Sequence, residues 1–441
     1  MVRAAGSRRP ARCAKGAWRR GLGVLPLLCA LLVACRSSSS AGAERAERSS
    51  GPIRPLAPGE SGYALYCGKV LTVDDADRTF APGMVVVRDG KIERVGPPEE
   101  VPAGFVRLEY PGGWCTPGLI DLHSHVQTGG WGDINDMVLP LNTGFRTSPT
   151  IVPGNANVRR ACAGGVTTLF GIPGSGTSIS GFGVLYKTKS DTTYEEAVLA
   201  DPGGMKVAQD SNPQRGSGDL GATRAGLGWM LEKINDRARA ADASGDPRRR
   251  DPLLADLERV HRGELPVLIH TAGSDGVANT ARMWRGRYPV RSVLSHGSFD
   301  GWKSARAVAA AGMPVNNGPR VFDYGPSREG RLVGMAAEYV EAGVPLISMN
   351  TDAGVLPQEE QFLQGAMASR YGADPYTMLR AVTIHPAKAF GIDDRVGSLE
   401  PGKDADLVVF AGPPLDSRSA VEIVLIDGRV EYDRARDGQR F

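Results

Sequence analysis

The sequence predicts an α/β protein in which a (β/α)8 barrel is joined to a small β-sandwich formed by the N- and C-terminal segments. Two observations predict this fold. Between residues 116 and 390, eight apolar, strand-like runs alternate with helix-like stretches. On both sides of this region, short β-branched runs alternate with turn residues, as in antiparallel strands. With 441 residues, 41% of them hydrophobic, the chain can bury the cores of one large domain and one smaller module.

The N-terminal segment predicts export. The first twenty residues contain seven Lys and Arg and no acid, and an apolar run over residues 22–34 follows them. This order is typical of a secretory signal, and the run is shorter than the roughly 20 apolar residues of a membrane span. Leu32-Val33-Ala34-Cys35 resembles the lipobox of bacterial lipoproteins, which implies a signal peptide over residues 1–34 and lipidation of Cys35. A plain signal peptide that happens to contain Cys35 is the alternative.

The next segment, residues 35–62, is rich in Ser, Ala, Gly and Pro and predicts a flexible tether. Lipid and tether together would hold the folded part beside a membrane of the cell envelope, in the periplasm or at the outer membrane. Removal of residues 1–34 takes away seven positive charges, so the formal net charge of +3 becomes −4. We therefore expect no nucleic-acid partner and contact with the membrane through the lipid anchor only.

Residues 63–115 and 391–441 form the predicted sandwich. The first segment contains YALYCGKVLTV, MVVVRDGKIERVG and FVRLEY, and the second contains DADLVVF and VEIVLIDGRVEYD. The Asp89-Gly90 and Asp427-Gly428 pairs are typical of two-residue hairpin turns. Because neither segment is long enough to bury a core alone, we expect the two ends of the chain to share one module.

The predicted barrel strands are eight apolar runs that end in polar or small residues. In chain order they are GLIDLHSH, VTTLFGIPG, FGVLYKT, GMKVAQ, LPVLIHTAG, VRSVLSHG, MPVNNG and VPLISMNTDAG. The carboxyl ends of barrel strands meet at one mouth, where active sites of this architecture form. The stretch over residues 212–263 is longer than one crossover needs, and it predicts an inserted helical pair after the fourth strand.

Four of the six histidines lie where an apolar run ends: His123, His125, His270 and His296. His123 and His125 are two residues apart on a strand, so both side chains point to the same face, as ligands of one ion would. A single strand-end histidine is more simply a buried imidazole. Four at matching positions, joined by Asp352 in NTDAG, favour a metal site instead. The other two, His261 and His385, are expected to be structural.

The motifs PGLIDLHSH, LIHTAG, SHG and NTDAG, in this order, resemble the metal-ligand motifs of the amidohydrolase superfamily. GVTTLFGIPGSG and TIHPAKAFGIDDRVGSLEPGKDADLVVF resemble its second strand and its return into the β-sandwich. The resemblance covers residues 63–433, with the imidazolonepropionase-related hydrolases and the isoaspartyl dipeptidase and dihydroorotase branches nearest. It implies a TIM-like metallohydrolase barrel that cleaves a C–N bond of a small amide, cyclic amide or dipeptide-like substrate by a metal-bound hydroxide.

The resemblance also implies a ligand on the fourth strand, often a lysine carboxylated by carbon dioxide. Lys206 in GMKVAQ matches that position, and Lys187 at the end of the preceding run is its rival. A carbamate would turn a cation into an anionic ligand able to bridge two divalent ions. An uncarboxylated Lys206 beside a single ion is the alternative.

The resemblance leaves two ligand arrangements open. With two ions, His123, His125 and Asp352 would hold the first, His270 and His296 the second, and Lys206 would bridge them. With one ion, His123, His125, His270 and Asp352 would bind it, and His296 would position the water. In both arrangements Asp352 is the expected general base and acid. Zinc is the expected ion, although imidazole and carboxylate ligands also accept iron, manganese or nickel.

Substrate recognition is expected from residues that follow the fourth and seventh strands. Arg215 and Arg224 lie in the region where dipeptidase-like relatives carry carboxylate-binding arginines, and a guanidinium matches a carboxylate bidentately. Solvent-facing arginines in an inserted loop are the alternative. Asn317 and Tyr324 are further candidates. These residues predict a small-molecule substrate, and a homo-oligomer is compatible with the sequence.

A second function class remains open, namely a noncatalytic envelope lipoprotein that binds a metal or a small ligand. Its signature would be the loss of Asp352 or of a histidine ligand, and none is lost. A serine hydrolase is disfavoured, because no GxSxG motif occurs.

Overall fold

The computed structural model describes residues 52–129, 133–216, 221–246, 251–324 and 330–440. The predicted signal peptide, Cys35 and all but the last residues of the predicted tether lie outside the described residues. Within the described ranges, no helix is long and apolar enough to cross a membrane.

The first five strands of the described residues form part of one sheet. They are β1 (Gly62–Leu71), β2 (Thr79–Phe80), β3 (Gly83–Arg88), β4 (Lys91–Gly96) and β5 (Phe105–Pro117). β1 pairs antiparallel with β2 and β3 and parallel with β5. Asp89 and Gly90 join β3 to β4 with φ angles of 49° and 78°. Positive φ at both turn residues is what a type I′ hairpin requires, so the first predicted hairpin is confirmed.

All eight apolar runs of the central region form strands of a second sheet. In chain order the central strands are β6 (Leu119–Ser124), β7 (Val166–Gly171), β8 (Ile179–Lys187), β9 (Val198–Ala208), β10 (Val267–Ala272), β11 (Ser292–Ser298), β12 (Val315–Asn317), the short hairpin β13 (Phe322–Asp323) and β14 (Val333–Gly334), and β15 (Ile347–Met349). β6 to β12 follow one another in the second sheet, and β15 lies beside β12. A bridge between Ser124 and Ala353 links the two edges. The predicted TIM-like barrel is confirmed.

The central helices lie between these strands and after them. They are α1 (Ala156–Ala163), α2 (Tyr194–Ala197), α3 (Arg224–Ser244), α4 (Ala255–His261), α5 (Ser274–Ala281), α6 (Ala305–Ala310), α7 (Met335–Glu341), α8 (Gln361–Arg370), α9 (Pro375–Ala381) and α10 (Ile384–Phe390). α3 and α4 are the helical pair predicted after the fourth barrel strand.

One strand interrupts the regular repeat expected from the sequence. β8 runs antiparallel to both of its neighbours, β7 and β9. Only seven residues separate β7 from β8, whereas a parallel connection needs about a dozen or more. The chain therefore folds straight back at the mouth, and the carboxyl end of β8 lies at the opposite end of the barrel.

The C-terminal segment returns to the first sheet. β16 (Leu407–Phe410) pairs antiparallel with β5, followed in the sheet by β17 (Val421–Ile426) and β18 (Arg429–Asp433), and the short helix α11 (Arg434–Asp437) comes last. Asp427 and Gly428 form the second hairpin turn, with φ angles of 47° and 70°. The two ends of the chain thus share one sheet and a hydrophobic core that includes Leu65 and Leu407.

A buried cluster of charges joins the barrel to this terminal sheet. Lys187, at the end of β8, donates to Asp404 (2.7 Å), Asp406 (3.1 Å) and Asp427. Only 2% of the Lys187 side chain is exposed. Burial opposes its charge, but the carboxylates outweigh burial and raise the pKa of Lys187. The lysine is therefore a structural cation between the two sheets.

Replacement of Lys187 by Met should lower the free energy of unfolding by about 3–5 kcal/mol, because it leaves buried carboxylates without their shared cation. The matched control is Lys91→Met, since Lys91 contacts the same Asp404 at 2.5 Å but its side chain is 51% exposed. The control should lose about 1 kcal/mol or less. Urea unfolding measures both variants. Equal stability of the wild type and Lys187→Met would show that the cluster does not hold the two sheets together.

Candidate metal centre

The barrel mouth brings together the six residues predicted as metal ligands. They are His123 and His125 at the end of β6, Lys206 in β9, His270 in β10, His296 in β11 and Asp352 after β15. Two triads can each hold an ion, with their ligand atoms within 4.8 Å of one another. One is His123, His270 and His296, and the other is His123, His125 and Asp352. His123 is shared, so these five side chains form one continuous cluster, and Lys206 Nζ joins it at 3.2 Å from His123 Nε2.

Hydrogen bonds fix which nitrogen of two histidines faces the cluster. His125 Nδ1 lies 2.9 Å from the carbonyl oxygen of Ile172, and His296 Nδ1 lies 2.7 Å from that of Gly318. A carbonyl only accepts, so each Nδ1 carries the proton and Nε2 is the other nitrogen of each ring. His296 Nε2 is buried and has no hydrogen-bond partner among the described residues, and the same is true of His270 Nδ1. Such buried lone pairs are what a metal ion requires, so the donor set fits one.

Burial also keeps these imidazoles neutral. It lowers the pKa of His123, His270 and His296 below the ordinary value, and the nearby Lys206 lowers that of His123 further. Neutral imidazole is the form that binds a metal.

Lys206 is the lysine that reaches the cluster. Its side chain is fully buried, and Nζ lies 3.2 Å from His123 Nε2 and 3.3 Å from the carbonyl oxygen of Pro173. Burial lowers the pKa of Lys206 to about 7. The rival Lys187 is at the other end of the barrel, because β8 runs in the opposite direction. The structure therefore favours Lys206 as the fourth-strand candidate.

Asp352 faces two histidines of the cluster, with Oδ1 lying 3.3 Å from Nε2 of both His123 and His125. Burial alone would raise the pKa of Asp352, but the hydrogen bond with His125 and nearby positive charge keep it below its ordinary value. Asp352 and His296 both have positive φ, 48° and 73°. This backbone conformation is costly for residues other than glycine, and it occurs here at two candidate functional positions.

Asp121, which no sequence motif singled out as a functional residue, holds the ligand-bearing segments in place by hydrogen bonds. Its Oδ1 accepts from the His123 amide (2.8 Å), and its Oδ2 accepts from the amide (3.0 Å) and hydroxyl (2.7 Å) of Thr351 and from the Gln358 side chain (2.7 Å). Burial raises the pKa of this carboxyl to about 6. The sequence feature that could have indicated this role is the position of an acidic residue inside the apolar run GLIDLHSH, two residues before His123.

Two of the predicted substrate-binding residues are already engaged elsewhere. Arg215 donates to the carbonyl oxygens of residues 212, 214 and 176, each at 2.7 Å. Arg224 is paired with Asp275 and lies 3.4 Å from Asp210. These partners account for both guanidinium groups without a substrate.

The other two candidates follow β12. Asn317 is buried beside the cluster and donates to the carbonyl oxygen of His296 at 2.7 Å, while Tyr324 is exposed. His261 and His385 lie outside the cluster and bond to Asn235 and to the backbone of Ile347. This placement agrees with the structural role expected of them.

Comparisons with known proteins are consistent with this site. Residues 257–431 match the model of the amidohydrolase family. Amidohydrolase tasK of Hapsidospora irregularis is 26% identical over 84% of this chain, although the chain spans only 40% of that protein. An imidazolonepropionase of Paracoccus denitrificans is 25% identical over 78% of this chain and 92% of its own. The crystal structure of an amidohydrolase from Thermotoga maritima superposes with a TM-score of 0.74 at 30% identity, covering 84% of this chain and all of that one.

Proposed function

Because the chain belongs to the amidohydrolase family, and is accordingly a hydrolase acting on carbon–nitrogen bonds, we propose that it cleaves a small amide, a cyclic amide or a dipeptide-like substrate in a metal-dependent reaction. The observation that carries the proposal is the buried cluster at the barrel mouth, with nitrogen lone pairs that no described residue satisfies. The noncatalytic alternative has no comparable support, since every candidate ligand is present.

The residues that would hold a divalent ion, zinc being the expected one, are the four histidines, Lys206 and Asp352. A bound divalent ion acts as a Lewis acid that makes water nucleophilic at neutral pH. The two triads are compatible with one ion or with two neighbouring ions, and the amount of metal bound per chain distinguishes these arrangements.

The protein's own part of the reaction is proton transfer and positioning. Asp352 has a lowered pKa and is therefore ionised at neutral pH, so it can accept a proton from the attacking water. It can then return that proton to the leaving nitrogen. His296 Nε2 faces the same cluster, held in place by the bond from Nδ1 to Gly318. His296 is buried, and 17% of the Asp352 side chain is exposed.

Metal removal and Asp352→Asn should both abolish hydrolysis of a panel of amides, dipeptides and lactones. The purified chain should contain one or two divalent ions, lose activity on chelation and regain it with zinc. Asp352→Asn should keep its circular dichroism spectrum and lose at least about 100-fold in kcat, the usual contribution of a general base. The control is Asp136→Asn, because Asp136 is exposed and its side chain accepts from the Val138 amide among the described residues. Full activity after chelation would contradict the metal-dependent reaction, and full activity of Asp352→Asn would remove that residue from it.

We propose further that Lys206 is carboxylated. Carboxylation joins the neutral amine to carbon dioxide and releases a proton, and burial makes the neutral amine accessible near pH 7. With ¹³C-bicarbonate, the purified chain should give a carbamate signal in ¹³C NMR that Lys206→Met lacks. Lys303→Met, which changes a half-exposed lysine, should keep the signal. A spectrum without that signal, or one unchanged in Lys206→Met, would contradict carboxylation.

We also propose that the protein is exported and anchored to the cell envelope through Cys35, on the support of the lipobox-like sequence LVAC alone. The wild type should appear in the membrane fraction. Cys35→Ala cannot be acylated and should leave that fraction. A processed Cys35→Ala chain that stays with the membrane would contradict the lipid anchor.

A further inference from the structure

Three buried polar side chains form a row across neighbouring strands of the barrel. Ser295 in β11, Asn316 in β12 and Ser348 in β15 are register partners in the parallel sheet, so their side chains leave the sheet on the same face. No more than 2% of any of the three residues is exposed. Ser348 Oγ donates to Asn316 Oδ1 at 2.9 Å, and Asn316 Nδ2 donates to Ser295 Oγ at 3.4 Å. Side-chain hydrogen bonds therefore join these three strands in addition to the backbone pairing.

The row ends at His123. Ser295 Oγ lies 2.7 Å from His123 Nδ1. The other nitrogen of the ring faces the cluster, since Nε2 lies 3.3 Å from Asp352 Oδ1 and 3.2 Å from Lys206 Nζ. The serine hydroxyl and the candidate ligands thus contact opposite nitrogens of one imidazole. Because both triads share His123, its orientation matters whether the site holds one ion or two.

His123 differs from the other three histidines of the cluster in the way its ring is held. His125 and His296 bond to backbone carbonyls, which no side-chain substitution removes. His270 Nδ1 has no hydrogen-bond partner among the described residues. The partner of His123 Nδ1 is instead a side-chain hydroxyl, which can donate or accept and which a single substitution removes.

We propose that Ser295 is a positioning residue for metal binding, whose hydroxyl accepts the Nδ1 proton of His123 and so keeps the Nε2 lone pair towards the cluster. The inference rests on the proposed metal-dependent function and adds to it a residue outside the ligand set. When Nε2 is a ligand, the ring proton lies on Nδ1, and a buried N–H without an acceptor is costly. Asn316 and Ser348 hold the hydroxyl in the position where it meets this proton.

Zinc affinity of the full chain, measured by competition with a chromophoric chelator, tests this role. Ser295→Ala should bind zinc about 10- to 100-fold more weakly, the usual effect of removing a hydrogen-bond partner of a metal-ligating histidine. Ser295→Thr keeps a hydroxyl and should bind zinc more tightly than Ser295→Ala. The matched control is Ser292→Ala in the same strand, because Ser292 is buried and its hydroxyl bonds to the carbonyl oxygens of residues 284 and 290. The control should keep the wild-type affinity.

A spectroscopic readout separates positioning from a general effect on the fold. With ¹⁵N label in the six histidines alone, NMR of the zinc-loaded chain reports the ring N–H groups directly. Ser295→Ala should change one Nδ1–H signal, that of His123, because this proton loses its acceptor. The signals of His125 and His296 should stay, since their Nδ1 atoms bond to backbone carbonyls. Ser292→Ala should leave all of these signals unchanged.

The outcomes distinguish this role from the proposed function. Equal zinc affinity in the wild type and Ser295→Ala, or an unchanged histidine spectrum, would overturn the role of Ser295 and leave the proposed function intact. Equally weak binding by Ser292→Ala would also overturn it, because any buried serine of β11 would then have the same effect. If the wild type binds no divalent ion, the proposed function fails, and the spectrum of the metal-free chain judges Ser295 alone. A changed His123 signal in Ser295→Ala then supports the contact, and an unchanged one overturns it.

Discussion

The barrel depends on the way in which its first and last strands are joined, because this seam also carries three of the metal-site residues. Backbone pairing across it is sparse, with His125 donating to the carbonyl oxygen of Ala353 at 2.6 Å. The Asp121 side chain supplies the other hydrogen bonds across the seam, since its buried carboxylate accepts hydrogen bonds from residues on both sides. A buried carboxylate is costly unless its lone pairs are satisfied, and here four donors satisfy them. The same contacts set the position of His123 relative to Asp352.

The chemistry of the site follows from burial of polar groups that are only partly satisfied. Backbone carbonyls fix the protonated nitrogen of His125 and His296, and His296 Nε2 has no hydrogen-bond partner among the described residues. The apolar barrel wall favours neutral imidazole and neutral amine, while the histidines stabilise the Asp352 anion. The same environment therefore disfavours the cationic forms of the histidines and of Lys206 and keeps Asp352 anionic. Neutral nitrogen ligands beside an anion are the combination that a divalent cation complements.

Local patterns in the sequence predicted the strands, both hairpins and the strand-end positions of the candidate ligands, because each depends on a few adjacent residues. The direction of β8 does not follow from such a local pattern, because it depends on whether the seven-residue link between β7 and β8 is long enough for a crossover connection. That direction also decides between Lys187 and Lys206, which look equivalent as strand-end lysines. Asp121 has partners 230 and 237 residues away, and these contacts exist only in the folded chain.

Because strand β8 is reversed, the residues at the two ends of the barrel differ in how freely they can be substituted. Because β7 and β8 share one short link, seven connections rather than eight bound the mouth. Insertions there can reshape the substrate cleft while leaving the far end untouched. That far end holds Lys187 and its three aspartates, which bind the barrel to the terminal sheet. Divergence to new substrates should therefore accumulate in the mouth loops, while the lysine and its acids can change only together.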